Sequence, residues 1–265
     1  RMDLRSADLS YADLSNANLT DTDLTGANLE GVRSGAITGF PKSLTAGWKI
    51  KNGYLVGPHA NLGGADLEGV NLTRTDLSGA DLTNANLTGA DLKGMSLHNA
   101  NLTDTDLSGV ELEDTSLKKA ILTGANLTGT DLHNANLEGV TSGRITGTPK
   151  ALPSKWQLIQ GYLVGPYTSL YGADLTDADL TDAYLVGAEL TDANLINANL
   201  SGARLGGAIL HGADLKDADL SDANLTNAIL MGVRSSGITG TPIALPDGWE
   251  IKDGVLECTV PVATS

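Results

Sequence analysis

The chain has 265 residues, a formal net charge of −15 and only 4% aromatic residues. This balance excludes a basic surface for direct nucleic-acid binding, because phosphate recognition needs clustered lysines and arginines. No apolar run approaches the ~20 residues that a membrane-spanning helix needs, and the single cysteine, Cys258, excludes an intramolecular disulfide.

The first predicted element is a run of five-residue units of the form A(D/N)Lxx, in which leucine recurs at every fifth position. A fixed period indicates a solenoid, because each unit can bury its apolar face only against its neighbours. Residues two apart in an extended chain face the same side, so the alanine and the leucine of one unit face inward together. The next alanine follows three residues after that leucine, and this odd step breaks the alternation of an extended chain. The chain must therefore turn once per unit. The register spans three blocks, Leu4 to Leu29, Leu62 to Leu137 and Leu170 to Leu230.

Larger residues at the inward alanine position favour four units per coil. A coil of twenty residues would have four sides, and most of these larger residues in the second block would fall on only two of the four sides. One of these two sides holds Val70, Val110 and Thr130, and the other holds Thr75, Met95 and Thr115. This spacing favours a square cross-section.

Units such as Ala7-Asp8-Leu9-Ser10-Tyr11 and Ala223-Asn224-Leu225-Thr226-Asn227 resemble those of pentapeptide repeat proteins, above all the long cyanobacterial members. The resemblance implies an all-β fold, a right-handed quadrilateral β-helix with four pentads per coil. We expect one solenoid domain over residues 1–265. Its predicted segments are pentads at 2–31, 60–139 and 168–232, β-hairpin inserts at 32–59 and 140–167, a C-terminal hairpin cap at 233–258 and a tail at 259–265.

Each insert contains a tryptophan followed by a hairpin signature. The turns are predicted at Asn52-Gly53, Gln160-Gly161 and Asp253-Gly254, because such pairs between short apolar runs favour two-residue type I′ turns. We expect small hairpins that project from the β-helix or fold against it. The unequal number of pentads between inserts predicts that all three cannot leave from one side of the coil.

The hairpins carry most of the bulky apolar side chains, and two interpretations are open. Either these side chains pack onto the solenoid, or they form an exposed patch that binds a partner protein. The candidate interaction residues are Trp48, Ile50, Tyr54, Trp156, Tyr162 and Trp249.

Acidic residues recur at coil spacing and predict negative columns on the surface. Most of this acidity is expected to be a solvated face that prevents edge aggregation. The candidate acidic face consists of Asp91, Glu111, Asp131, Asp177, Asp182, Asp217 and Asp222.

The predicted function is a non-catalytic, rigid scaffold for interaction with an unknown protein partner, without a cofactor or a metal. One alternative is an acidic mimic of DNA that binds DNA gyrase, in the manner of the quinolone-resistance members of the pentapeptide repeat family. Another is a weak calcium-binding or purely structural rod. An N-terminal coil without a predicted cap allows end-to-end association. The resemblance makes a bacterial cytoplasm the default location, with periplasm and thylakoid lumen open.

Overall fold

The computed structural model describes residues 2–259, and the predicted tail beyond Thr259 lies outside the described residues. The chain divides into two compact units. Unit 1 comprises Arg1–Leu137 and Arg144–Ser154, and unit 2 comprises Glu138–Gly143 and Lys155–Ser265. The prediction of a single domain stays a prediction, and the two units are described separately.

In each unit the pentads form coils of four sides. The second residue of a pentad makes a parallel β-bridge with the residue 20 positions further, as in Asp81↔Asn101 of unit 1 and Asn199↔Asp219 of unit 2. Twenty residues are four pentads, so the square coil predicted from the inward positions is confirmed. The leucine amide donates to the following coil, as Leu82 N does to the Asn101 carbonyl at 2.8 Å.

The turn at each corner is built from the second and fifth residues of the pentad. The second residue accepts hydrogen bonds from the residue two positions later, as Asp81 Oδ1 does from Thr83 N at 3.0 Å and Thr83 Oγ1 at 2.6 Å. The fifth residue takes a left-handed conformation, with φ of 58° at Asn84. Asn, Asp and Gly tolerate this conformation best, which explains why they dominate the fifth position.

The core is a column of leucine and alanine along each stack of coils. Leu82 and Leu87 in unit 1 and Leu200 and Leu205 in unit 2 have no exposed surface. Burial of a leucine contributes about 1.5–3 kcal/mol, whereas ordering a five-residue backbone costs at least ~5 kcal/mol. A single coil therefore cannot fold alone, and the bonds between coils have to supply the remainder.

Each insert contains an antiparallel two-stranded hairpin. Hairpin 1 pairs β1 (Lys49–Lys51) with β2 (Tyr54–Val56), and hairpin 2 pairs β3 (Gln157–Ile159) with β4 (Tyr162–Val164). Hairpin 3 pairs β5 (Trp249–Lys252) with β6 (Val255–Cys258). In hairpin 1 both turn residues have positive φ, 46° at Asn52 and 75° at Gly53, as a type I′ turn requires. The three predicted hairpins are confirmed.

Hairpin 1 does not project from unit 1 but lies between two coils. Its turn contacts the preceding coil, where Ile37 N donates to the Gly53 carbonyl at 3.0 Å. On its other side, Lys49 Nζ donates to the Arg74 carbonyl at 2.7 Å, and Tyr54 Oη accepts from Asp66 N at 3.2 Å. The hairpin therefore forms a layer inside the stack.

Hairpin 2 binds the coil that follows it in unit 2 in the same way. Tyr162 Oη accepts from Asp174 N at 3.2 Å, and Gln160 Nε2 donates to the Thr176 carbonyl at 3.0 Å. Hairpin 3 binds only a preceding coil within the described residues, where Ile238 N donates to the Gly254 carbonyl at 3.0 Å. Within residues 2–259, hairpin 3 thus has a coil on one side only, and its role as a cap stays a prediction.

Within unit 2, hairpins 2 and 3 leave from neighbouring sides of the coil. Hairpin 2 precedes Ser169, so it occupies the side before the ladder that runs from Thr141 through Ser169 to Glu189. Hairpin 3 follows Ala244, which ends the ladder through Tyr184 and Arg204. The prediction that the three inserts cannot share one side is confirmed.

Candidate interaction surfaces

The aromatic residues of the hairpins are committed to packing. Trp48 is buried, and its indole lies on Gly57, where an added Cβ would come within 2.3 Å of the ring. Trp156 lies on Gly165 in the same way, with a corresponding distance of 2.2 Å. Ile50, Tyr54, Trp156, Tyr162 and Trp249 are half-buried. This arrangement favours the packing interpretation, and binding of a partner by these residues stays a prediction.

The stacked acidic column predicted in unit 1 is present. Asp91 pairs with Glu111 and Glu111 with Asp131, each one coil apart. Lys150 Nζ lies 2.9 Å from Asp131 and 3.8 Å from Glu111. The hydrogen bond from Lys150 lowers the pKa of the Asp131 carboxyl below its ordinary value. The column is therefore partly neutralised by a lysine of its own unit.

The predicted acidic residues of unit 2 occupy two neighbouring corner columns. In the first column, Asp177 accepts from Asn197 Nδ2 at 3.0 Å, and Asp217 lies 3.8 Å from Lys216 Nζ. The second column contains Asp182 and Asp222, both exposed, with Gly202 in the coil between them. All four aspartates have positive φ, so their side chains stand at the outer edges of the coil.

A basic and aromatic cluster, which we did not predict, lies beside the second of these corners. The Lys155 ammonium is 4.4 Å and the Arg204 guanidinium carbon 5.1 Å from the centroid of the Tyr184 ring. Hydrogen bonds from Lys155 and then Arg204 lower the pKa of the Tyr184 hydroxyl. A shallow depression next to the cluster is lined by Val186, Gly202, Gly206, Asp222, Asn224 and Ile243.

The first coil of unit 1 has an open face. Leu4, Leu9 and Leu14 are only half-buried, whereas Leu24 one coil further has no exposed surface. End-to-end association through this face stays a prediction, because exposed leucines show that the face is apolar but not what covers it.

No group of three or more His, Cys, Asp and Glu side chains within residues 2–259 is arranged to hold a metal ion. Within the same residues, no helix is long and apolar enough to span a membrane.

Comparison with known proteins gives a consistent set of similarities. The sequence profile described as Pentapeptide repeats, in 8 copies, matches residues 3–33, 59–89, 105–141, 168–207 and 198–234. No curated protein matches the chain.

Solved structures of several repeat proteins are similar to this chain. HetL from Nostoc sp. strain PCC 7120, a pentapeptide repeat protein involved in heterocyst differentiation regulation, is 31% identical over 90% of this chain and 89% of its own, with a TM-score of 0.28. The Nostoc pentapeptide repeat protein alr5209 is 34% identical over 38% of this chain and 76% of its own, with a TM-score of 0.23. QnrB1, a plasmid-mediated fluoroquinolone resistance protein, is 17% identical over 64% of this chain and 83% of its own, with a TM-score of 0.28.

Proposed function

Because this chain belongs to the pentapeptide repeat family, we propose that it is a non-catalytic scaffold whose rigid coil surfaces bind a partner protein. Each unit has the family's fold, a right-handed quadrilateral β-helix with four pentads per coil. One observation carries the proposal: the corner side chains are held in fixed rows by a continuous ladder of bonds between coils. A surface of this kind is preorganised, so binding costs little conformational entropy.

Unit 2 supplies the surface on which this proposal is best tested. Its exposed carboxylates Asp177, Asp182, Asp217 and Asp222 stand in two neighbouring rows, and only Asp217 has a lysine within 4.0 Å. Charges in such rows steer an oppositely charged protein and fix its register. We therefore propose a partner with a basic contact surface.

The test is affinity capture from cell lysate with three full-length baits. The first bait is the wild type, and the second carries Asp177→Asn and Asp217→Asn. The third is a matched control with Asp192→Asn and Asp247→Asn, which loses the same charge elsewhere in unit 2. The proposal expects one stoichiometric partner on the wild type and the control but not on the second bait. Capture of no protein, or equal capture by all three baits, contradicts it. Deleting residues 33–58, which removes hairpin 1, is a poorer test of partner binding, because hairpin 1 is a layer inside the stack.

A second candidate function is binding of DNA gyrase by an acidic surface that imitates duplex DNA. The rows of carboxylates at coil spacing favour it. Each strand of duplex DNA carries one phosphate per ~3.4 Å, whereas a row with one carboxylate per coil gives one charge per ~4.8 Å. This lower density ranks the candidate second. A supercoiling assay with purified gyrase tests it, and no inhibition at a large molar excess of the protein contradicts it.

We also propose, on the family resemblance alone, that the protein acts in a bacterial cytoplasm. Fractionation of the source cells, with the protein detected by antibody, tests this location. Recovery in the periplasmic or thylakoid-lumen fraction would contradict it.

A further inference from the structure

The residue before each hairpin tryptophan takes a left-handed backbone conformation. Two of the three inserts place glycine there, Gly47 with φ of 86° and Gly248 with φ of 77°. Hairpin 2 has Lys155 instead, with φ of 71°. A lysine is strained in this conformation and glycine is not. Hairpin 2 is thus the copy that carries the strained residue, and the side chain of that residue, Lys155, reaches the aromatic ring of Tyr184.

The residues that supply the ring and the second cation also replace the Asp or Asn that the repeat prefers. Tyr184 and Arg204 stand at the second pentad position, where an Asp or Asn accepts the bonds that hold the corner turn. Their backbones pair in neighbouring coils. Both coils thus give up a turn-stabilising acceptor for an outward-facing aromatic or basic side chain.

The two cations have no acidic partner within residues 2–259. Among the described residues, neither Lys155 nor Arg204 forms an ion pair, although the protein carries 32 acidic residues and only 17 basic ones. Because the layers stack in chain order, Lys155 approaches the Tyr184 ring from the layer of hairpin 2 before it, and Arg204 approaches from the coil after it. Cation, ring and cation therefore occupy three successive levels of unit 2.

The neighbouring corner carries the complementary pattern. Asp182 lies at the level of Tyr184, Gly202 one coil further and Asp222 two coils further. A carboxylate, a glycine and a carboxylate thus also occupy three successive levels, and the Asp182 carboxylate leans over Gly202. The two carboxylates stand two coils apart, roughly 10 Å along the stack, as do the two cations.

We propose that this side of unit 2 is a dimerisation surface, and that its occupant is a second copy of this chain, which leaves the row of Asp177 and Asp217 for the partner of the proposed function. In a two-fold interface each surface meets itself with its order reversed. An axis halfway between the level of Tyr184 and the next coil satisfies every pair at once. It places Lys155 opposite Asp222, Tyr184 opposite Gly202 and Arg204 opposite Asp182 of the second copy.

The remaining side chains of the surface suit such an interface. Ile243 is 66% exposed and Val186 half-buried, and both line the depression beside the cluster. Apolar contact of this kind, with Tyr and Arg at the centre and charges around them, is typical of protein interfaces.

Sedimentation equilibrium of the full chain tests the proposal first. We expect a dimer at about 20 mM salt whose association constant falls at least tenfold at about 500 mM salt, because screening weakens exposed ion pairs. A monomer at low salt and at concentrations up to about 1 mM overturns the proposal.

Charge exchange identifies the surface. The variant Lys155→Glu with Arg204→Glu and the variant Asp182→Arg with Asp222→Arg should each lose association at least tenfold. An equimolar mixture of the two should form a heterodimer, because both halves of the interface regain opposite charges. The matched control, Lys216→Glu with Arg234→Glu, makes the same charge change as the first variant and should retain most of the association. Equal loss in the control, or no heterodimer in the mixture, overturns the proposal.

Lys155→Gly separates folding from association. Glycine fits the left-handed backbone, as at Gly47 and Gly248, so the variant should melt at the same temperature as the wild type or above it. We expect it to dimerise at least threefold more weakly. Unchanged association in a folded Lys155→Gly protein shows that the lysine serves only hairpin 2 and contradicts its role in the interface.

Discussion

Hairpins 1 and 3 share a motif but differ in what surrounds them. Each follows a Ser-Gly-(x)-Ile-Thr-Gly segment, and in each a serine hydroxyl accepts from a leucine amide, Ser34 from Leu55 at 2.8 Å and Ser235 from Leu256 at 2.9 Å. Hairpin 1 lies between two coils, whereas hairpin 3 has a coil on one side only within the described residues. The motif therefore specifies the hairpin and its preceding coil, and the following coil determines how much of it is buried.

The sequence differences between the two hairpins follow this difference in burial. Val56 has no exposed surface, and the matching residue of hairpin 3 is the exposed Glu257. Gly57 lies under the Trp48 indole, and its counterpart is the exposed Cys258. Positions that face a following coil in hairpin 1 have thus become polar or larger in hairpin 3.

The largest expected effect comes from exchanging the first of these pairs. Val56→Glu should lower the free energy of unfolding by about 4 kcal/mol, because it buries an unpaired carboxylate. The matched change Glu257→Val should stay within about 0.5 kcal/mol. Urea denaturation monitored by circular dichroism measures both. Equal effects would show that the two hairpins have the same surroundings.

A smaller effect is expected at the glycine beneath the indole. Gly57→Ala places a methyl group against the buried ring of Trp48, so it should cost about 2 kcal/mol through overpacking. Cys258→Ala is the control and should be nearly neutral. Thermal melts of both variants test the pair, and a neutral Gly57→Ala would mean that the indole moves away freely.

Removing the serine acceptors should give a graded result. Ser34→Ala leaves the buried Leu55 amide without a partner and should cost about 2 kcal/mol, while Ser235→Ala should cost about 1 kcal/mol because water reaches the partly buried Leu256 amide. Denaturation curves for both variants decide the ranking. A larger loss at Ser235 would reverse the comparison.

The smallest expected effect is a pH dependence at one corner of the coil beneath hairpin 3. There the turn acceptor is Asp219, whereas the matching residue beneath hairpin 1 is Asn18, which does not titrate. Hydrogen bonds from Ser221 lower the pKa of Asp219. Its contribution to stability is therefore present above the ordinary carboxyl pKa of about 4 and is lost as the pH falls through the lowered pKa.

Amide hydrogen exchange at pH values from 5 down to about 2.5 measures this effect. After correction for the intrinsic rate, exchange near Gly240 should accelerate on acidification more than exchange near Gly39. Asp219→Asn should remove the difference. An unchanged difference in that variant would assign it to another group.

The fold could be predicted because the pattern that specifies it is local and repeated. Leucine at every fifth residue indicated the coil, and Asn52-Gly53 indicated the hairpin turn. The insertion of hairpin 1 as a layer could not be predicted, because it depends on contacts of Lys49 with Arg74 and of Tyr54 with Asp66, which are far apart in sequence. Such contacts leave no periodic signal.

The candidate surfaces were predicted only in part. The acidic rows followed from spacing, but their partial neutralisation by Lys150 depended on an insert whose path the spacing did not reveal. The cluster around Tyr184 was missed, although one signal was available. Lys155 stands where the other two inserts have Gly47 and Gly248, and only alignment of the inserts together with backbone angles shows the exchange to be unfavourable.

Native-state hydrogen exchange of two leucine amides tests the central claim, that the surrounding coils determine the state of each hairpin, most directly. Leu55 N and Leu256 N donate to equivalent serines at nearly equal distances. The structure predicts that Leu55 is protected as strongly as Leu82 in the coil core, and that Leu256 exchanges at least ~100-fold faster, because a layer with a coil on one side only opens locally. Equal protection of the two amides, or rapid exchange at Leu55, would contradict the placement of hairpin 1 between coils.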